Sequence, residues 1–150
     1  MLAKKFIHSR YLSTVKKNVS RSLPSPREES FKCLYGMLKS HEKHDIDASL
    51  AYFDDNATMF SVLKNKKMVD RFDIFRHYSL NRDGIYGQVF FPDHHEGAHF
   101  KSLDENLCSW EGAFALATER GTFNVRFSAV LRKEDQDWKI LHFHNSNMPN

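Results

Sequence analysis

Glycine and proline are scarce in this chain, six and four among 150 residues, and no internal repeat or low-complexity tract interrupts it, which excludes repeat and Gly/Pro-rich disordered architectures. Only two cysteines occur, Cys33 and Cys108, far apart and without metal-ligand spacing. That excludes a disulfide scaffold and leaves free thiols in a reducing compartment as the expectation. No apolar run approaches the roughly 20 residues of a membrane-spanning helix. Nothing has the form of a phosphate-cradling loop. Acid is missing from one region: residues 1–27 hold seven of the 22 Lys and Arg side chains and none of the 19 acids. The rest therefore carries 15 bases against 19 acids, a net of −4, although the whole chain is +3. A body of that sign repels phosphate, so nucleic acid is not an expected partner.

What the chain does have is length for one domain with a real core, and many aromatics: thirteen Phe, five Tyr and two Trp. The basic arm "MLAKKFIHSRYLSTVKKNVSRSLPS" forms a moderately amphipathic helix on paper, with Tyr11, Leu12, Val15 and Val19 on one side and Arg10, Lys17 and Arg21 opposite. These are traits of a mitochondrial transit peptide, with Arg10 three residues before a cut between Leu12 and Ser13. The alternative is a disordered basic tail that meets membranes or acidic partners in a cytoplasmic protein. Residues 1–24 are read as this arm and residues 25–150 as the folded domain.

In the domain, Ser25-Pro26-Arg27-Glu28 supplies an N-cap, a proline at the first helical position and a capping-box glutamate. Phe31, Leu34, Tyr35, Leu38 and His41 follow at helical spacing and predict one buried stripe. "HDIDASLAYFDDNATMF" predicts a short second helix capped by Asp47, then a strand over residues 57–63. "NKK" reads as a polar turn, and a third helix over residues 71–80 buries Phe72, Phe75 and Tyr78 or Ile74. The period then changes. "EGAHFKSLDE", "LCSWEGAFALATE", "TFNVRFSAVLRKE" and "WKILHFHNSN" are strand-like runs. "ERG" and "EDQD" separate the last three at hairpin distance. Helices first and an antiparallel meander afterwards predict an α+β domain.

The last strand poses the functional question. Strict alternation puts Trp138, Ile140, His142, His144 and Ser146 on one face and Lys139, Leu141, Phe143 and Asn145 on the other. In the neighbouring run, Arg126, Ser128 and Val130 share a face. A regular hairpin brings the two polar sets together, with cross-strand neighbours about 5 Å apart.

The order helix–helix–strand–helix–meander, with these local words, resembles the SnoaL-like branch of the nuclear transport factor two superfamily over residues 26–149. "HDIDASLAYFDDNATMF" is similar to the family's acidic helix turn, short helix and strand. Arg126-Phe127-Ser128 resembles its Arg-x-Thr/Ser strand. Its ending, Trp-x-x-x-His-x-His-x-Ser followed by Pro, is matched at Trp138, His142, His144, Ser146 and Pro149. The resemblance implies a cone-shaped, cystatin-like roll: a curved antiparallel sheet with three helices on its concave face. The superfamily includes ketosteroid isomerase, scytalone dehydratase and the association domain of calcium/calmodulin-dependent kinase, so fold alone assigns no activity.

Within such a cone, Arg126, Ser128 and Ser146 are expected to contact a ligand at the open end, with Tyr35, Leu38, Tyr52 and Phe75 as the helical wall and Trp110 with Phe114 on another strand. His142 and His144 are the best acid–base candidates, because imidazole titrates near neutrality. Arg126 suits a carboxylate or enolate, and Tyr35 or Tyr52 suits a carbonyl. No Asp can be matched to the isomerase base, nor any set to those of limonene-epoxide hydrolase or scytalone dehydratase. In the competing reading, Arg126, His144 and Ser146 tie the sheet end together, with Glu111 and Glu119 as partners for the guanidinium. His142-x-His144 and "DHHEGAH" (Asp93, His94, His95, His99) have the donors for zinc, but the second stretch reads as a solvated turn, and neither metal nor cofactor is expected. Cys108 reads as a small buried side chain. Two functions follow. One is a pocket for a small hydrophobic molecule, as in an isomerase, cyclase or dehydratase acting on a carbonyl compound. The other is a non-catalytic homodimerisation or interaction module whose outer sheet face, with Leu141 and Phe143, forms the contact.

Overall fold

The computed structural model describes residues 23–61, 64–80, 88–90, 98–119 and 121–148. The expected targeting helix and residues 93–97 of the His-rich turn lie outside them. Helix α1 spans Pro26–Glu42 and opens on the expected capping box: Ser25 Oγ accepts from the Glu28 N–H, and the Glu28 carboxylate accepts from the Ser25 N–H at 3.0 Å. Such caps satisfy donors that the first helical turn otherwise leaves orphaned, and each contributes about 1 kcal/mol. Helix α2 (Ile46–Leu50) is capped by Asp45, not Asp47 as expected, because the Asp45 carboxylate reaches the Ala48 N–H at 2.9 Å. Helix α3 covers Arg71–Leu80, as its periodicity predicts.

Among the described residues seven strands follow as β1 (Phe53–Ser61), β2 (Lys64–Met68), β3 (Gln88–Phe90), β4 (Ala98–Asp104), β5 (Leu107–Thr118), β6 (Gly121–Glu134) and β7 (Asp137–Asn147). In space they run β2-β1-β7-β6-β5-β3, with β4 sharing the β5 edge. "NKK" is therefore strand, not turn, and the three-residue β3 has no counterpart among the sequence runs. All pairs are antiparallel except β1 with β7, which is parallel because the first strand closes against the last. The hairpin turns use local chemistry: Gly121 has φ +121° where β6 begins, and Asp135 has φ +54° between β6 and β7. Glycine bears the first at no steric cost, and Asp tolerates the second.

One sheet face carries the helices. On β6, Val125, Phe127, Ala129 and Leu131 are buried while Arg126 and Arg132 are exposed, the period-2 alternation of a strand with one dry side. Phe114, Phe127 and Phe143 step across β5, β6 and β7 with ring centroids 5.9 and 6.1 Å apart. Trp110 is fully buried, tilts against Phe31 and Phe100 at 5.1 and 5.3 Å, and donates to Ser30 Oγ at 3.0 Å. Cys33 donates to the Trp138 carbonyl at 3.2 Å, and burial pushes its thiol up to about 12. Cys108 is likewise buried. Glu29 ties α1 to the sheet by accepting from Lys133 Nζ at 3.0 Å and Trp138 Nε1 at 3.2 Å, which holds its carboxyl below the usual range.

Two helical stripes differ from expectation. On α1 the buried set is Ser30, Cys33, Leu34, Met37, Leu38 and His41. The stripe is rotated so that Tyr35 lies outside, stacked on Phe31 and capped by Lys39 Nζ 5.7 Å from its ring centre. Small Ser30, Cys33 and Gly36 allow that rotation. A Cβ on Gly36 would collide with the Tyr52 hydroxyl, so glycine is what lets the Tyr52 ring lie on the helix. On α3 the buried set is Ile74, His77 and Tyr78, an i, i+3, i+4 triplet, while Phe72 is 66% and Phe75 37% exposed. Reading apolar residues alone hid the stripe because one of its three members is histidine.

Candidate ligand-binding site

Between the C-terminal halves of α1 and α3 and the far ends of β5, β6 and β7 lies a cavity of about 180 Å³. Its inner wall is apolar: Met37 and Leu38 from α1, Met59 from β1, Phe114 from β5 and Phe143 from β7. Each reaches the hollow because its element presents its core stripe there. Val89 of β3 adds to the wall and is held by two hydrogen bonds to α1: its N–H donates to Glu42 at 2.8 Å and its carbonyl accepts from Lys39 Nζ at 3.1 Å. Lys39 also donates to Glu42 at 2.8 Å. Burial works against the Glu42 charge, but these donors outweigh it and the carboxyl stays below its usual range.

Three polar side chains sit among the apolar ones, His41 on α1 and His77 and Tyr78 on α3, with 8%, 3% and 4% exposure. The His41 ring lies 4.6 Å and the His77 ring 5.9 Å from that of Tyr78. The Tyr78 hydroxyl points to Met59 Sδ at 3.6 Å. Burial, helped by the neighbouring His44 and His77, pulls His41 down to about 4, so its imidazole is neutral at pH 7. More open positions on the wall belong to Ser61, Thr118, Phe123, Asn145 and Asn147. Among the described residues no Asp, Glu, Lys or Arg lines the hollow.

Most of the residues expected here from sequence are elsewhere. The two polar sets do meet across the β6–β7 hairpin: Ser128 pairs with His144 and Arg126 with Ser146, and Arg126 Nε donates to Ser146 Oγ at 3.0 Å. They meet, however, on the opposite face of the sheet from the cavity, with Arg126 and His144 exposed. His142 is half-buried there, its Nδ1 2.7 Å from Thr58 Oγ1, and the ring of Phe60 stands 6.4 Å from His142 and 6.1 Å from His144. Burial, and then His144 and Lys67, lower the His142 titration. Trp110 is a core residue, Tyr35 is a surface residue, Tyr52 packs on Gly36, and Phe75 is half-exposed on α3. Of the expected wall, Leu38 and Phe114 line the hollow. Phe143, expected in an outer subunit contact with Leu141, is 1% exposed and faces the cavity.

The physical reason is one residue. Leu131 pairs with Ile140 but Val130 with His142, so Leu141 has no cross-strand partner on β6. The other neighbour slips at the same place, with Phe53 opposite Ile140 and Thr58 opposite His142. A β-bulge of this kind reverses the facing of every later residue relative to strict alternation. Trp138 and Ile140 face the core, then Phe143 does, with Asn145 and Asn147 following it on the cavity side. The signal was present: Lys139 and Phe143 have the same parity, and a charged and an aromatic side chain do not share a buried face without a break between them. His41 already lay in the α1 stripe, whereas His77, Asn145 and Asn147 carried no separate cue. Among the described residues no three His, Cys, Asp or Glu side chains converge as metal ligands, and no helix is long and apolar enough to cross a membrane.

No curated protein matches the sequence. Solved structures do share the fold. An NTF-2 like protein of unknown function from Shewanella oneidensis MR-1 superposes with a TM-score of 0.69 at 19% identity, over 81% of this chain and 99% of that one. A proposed calcium/calmodulin dependent protein kinase II association domain from Xanthomonas campestris gives 0.70 at 16% identity, over 86% and 94%. A ketosteroid isomerase-like protein from Erwinia carotovora atroseptica SCRI1043 gives 0.58 at 13% identity, over 81% and 95%. At these identities the likeness establishes architecture, which is the expected cone-like α+β roll. The family model for the SnoaL-like domain matches residues 32–150. With that match covering well over half of its length, this chain belongs to the SnoaL-like domain family.

Proposed function

We propose that the domain binds a small, largely apolar molecule in the hollow between α1, α3 and the sheet. One observation carries this reading: a cavity of about 180 Å³ walled by Met37, Leu38, Met59, Phe114 and Phe143, with a few buried polar groups among them. Apolar hollows near 150 Å³ remain dry and take up a benzene-sized guest, and few polar groups in an apolar wall are the usual form of a ligand site. An isomerase, cyclase or dehydratase acting on a hydrophobic carbonyl compound is the catalytic form of this reading. Its proton acceptor would come from His41 or His77. The His41 imidazole, held near 4, is a weak base at neutral pH, which favours binding over proton transfer by that residue. Thermal-shift and calorimetric screening of hydrophobic small molecules tests it. A ligand at a hundred times its Kd raises stability by about 2.7 kcal/mol. Leu38→Trp, which fills the hollow, is expected to abolish that gain. A panel that shifts neither the wild type nor the variant removes the proposal.

A second reading concerns the outer sheet face, where exposed Phe60 stands between His142 and His144 and beside the Arg126–Ser146 pair. We assign these residues, with Ser128, to a homodimer contact rather than to the ligand. Light scattering of Phe60→Asp is expected to give a monomer where the parent is a dimer; a parent that is monomeric at micromolar concentration ends this reading. For residues 1–24, mitochondrial import is the proposal, and N-terminal sequencing of the protein from cells is expected to begin near Ser13. An intact Met1 in the mature protein rejects it.

A further inference from the structure

The cavity wall restricts the charge and polarity of its guest, an inference that rests on the pocket reading above and narrows it. No Asp, Glu, Lys or Arg side chain among the described residues lines the hollow. A buried carboxylate or ammonium without a counter-charge is strongly disfavoured, and several kcal/mol of desolvation stay uncompensated. The innermost polar groups are His41, His77 and Tyr78, drawn from two helices and gathered around one phenol ring. Neutral imidazole carries one donor and one acceptor nitrogen, and phenol can serve as either. Such a wall matches one oxygen of a guest, whether carbonyl or hydroxyl, while the methionine, leucine and phenylalanine side chains match a hydrocarbon ring. The volume admits about one ring.

We infer that the site selects an uncharged, single-ring compound bearing one carbonyl or hydroxyl oxygen, with His41 and His77 as its specificity-determining residues, and rejects acids and amines of the same size. The side chains at the more open positions, Asn145, Asn147, Ser61 and Thr118, are also uncharged, so among the described residues the entry adds no fixed charge to offset that of an ionic guest. The outer-face Arg126 is no substitute, because it stands across the sheet from the hollow.

The test uses four probes of matched size on the full chain by isothermal titration: acetophenone, ethylbenzene, benzoate and benzylamine. Acetophenone is expected to bind, ethylbenzene about five- to tenfold more weakly for want of one hydrogen bond, and the two ions more than about a hundredfold more weakly. The double variant His41→Leu, His77→Leu is expected to bind acetophenone and ethylbenzene equally, while His41→Gln with His77→Gln keeps the ketone preference. Retained ethylbenzene binding certifies that each variant is folded, and the two single Leu variants serve if the double one is not. Equal binding of acetophenone and ethylbenzene to the parent, or benzoate or benzylamine within a hundredfold of acetophenone, overturns the inference and leaves the pocket reading standing. So does a ketone preference that survives both leucines. Failure of all four probes overturns the pocket reading and the inference together.

Discussion

The two faces of the last strand, only a side chain apart, have opposite fates. On the inner face, Phe143 is buried against Phe127 and walls the cavity together with Asn145 and Asn147. On the outer face, His142, His144 and Ser146 lie beside Phe60, Ser128 and Arg126. The outer set has the residue types that chemistry usually employs, yet the inner set, poorer in such groups, borders the hollow. Residue type is thus a weaker guide to a site than which side of the sheet the helices cover. The buried polar groups of the cavity, His41, His77 and Tyr78, come from helices and owe their place to core stripes.

The comparison can be broken hardest at Phe143. Phe143→Ala removes a fully buried ring and is expected to cost about 3–5 kcal/mol, read as a lowered urea midpoint with an unchanged slope. A cost near zero would show that β7 does not present this residue inward.

Acid provides the next test. His41 is lowered from 6.5 in the unfolded chain to about 4 in the fold, so between these values the unfolded state binds more protons. Stability is therefore full above pH 6.5 and lost progressively as pH falls towards 4, by about 3 kcal/mol in all. His142 is lowered too and adds in the same direction. His41→Leu is expected to flatten the greater part of the decline in melts taken across that interval. An unchanged slope would remove burial as the account of this side chain.

The tie between α1 and the sheet gives a smaller effect. Lys133→Ala leaves Glu29 with Trp138 as its remaining donor and is expected to cost no more than about 1 kcal/mol, since part-exposed ion pairs are weak. The smallest effect belongs to the outer face. His144→Ala, in an exposed position, is expected to stay within about 0.5 kcal/mol of the parent at concentrations where the protein is monomeric. A loss comparable with that at Phe143 would erase the distinction between the two faces.

Much of the architecture was legible before any coordinates. The capping box at Ser25, helix α3, the long runs β5 to β7 and the turns between them depend on periodicity and turn chemistry, which act over a few residues. The same reasoning brought the Arg126 and Ser128 set and the His144 and Ser146 set to one side of the hairpin, but the register that sets Arg126 opposite Ser146 depends on the bulge at Leu141, since the turn alone would set it opposite Asn145. It missed β3, which at three residues has no period to read. It also misjudged the stripes of α1 and α3, where Ser30, Cys33 and His77 occupy buried positions that a hydrophobic count overlooks.

What the sequence determined by itself was the order of the helices and of the long strands β5 to β7, with the hairpins that join those strands, because those free energies are local. Which face of β7 meets the helices was settled only in three dimensions. Leu141 is left over when β1 and β6 each choose their partners on either side of it, and that choice is made by the packing of Ile140 and Phe143 into one shared core. A single unpaired residue costs the strand little, but it exchanges inside for outside for everything beyond it.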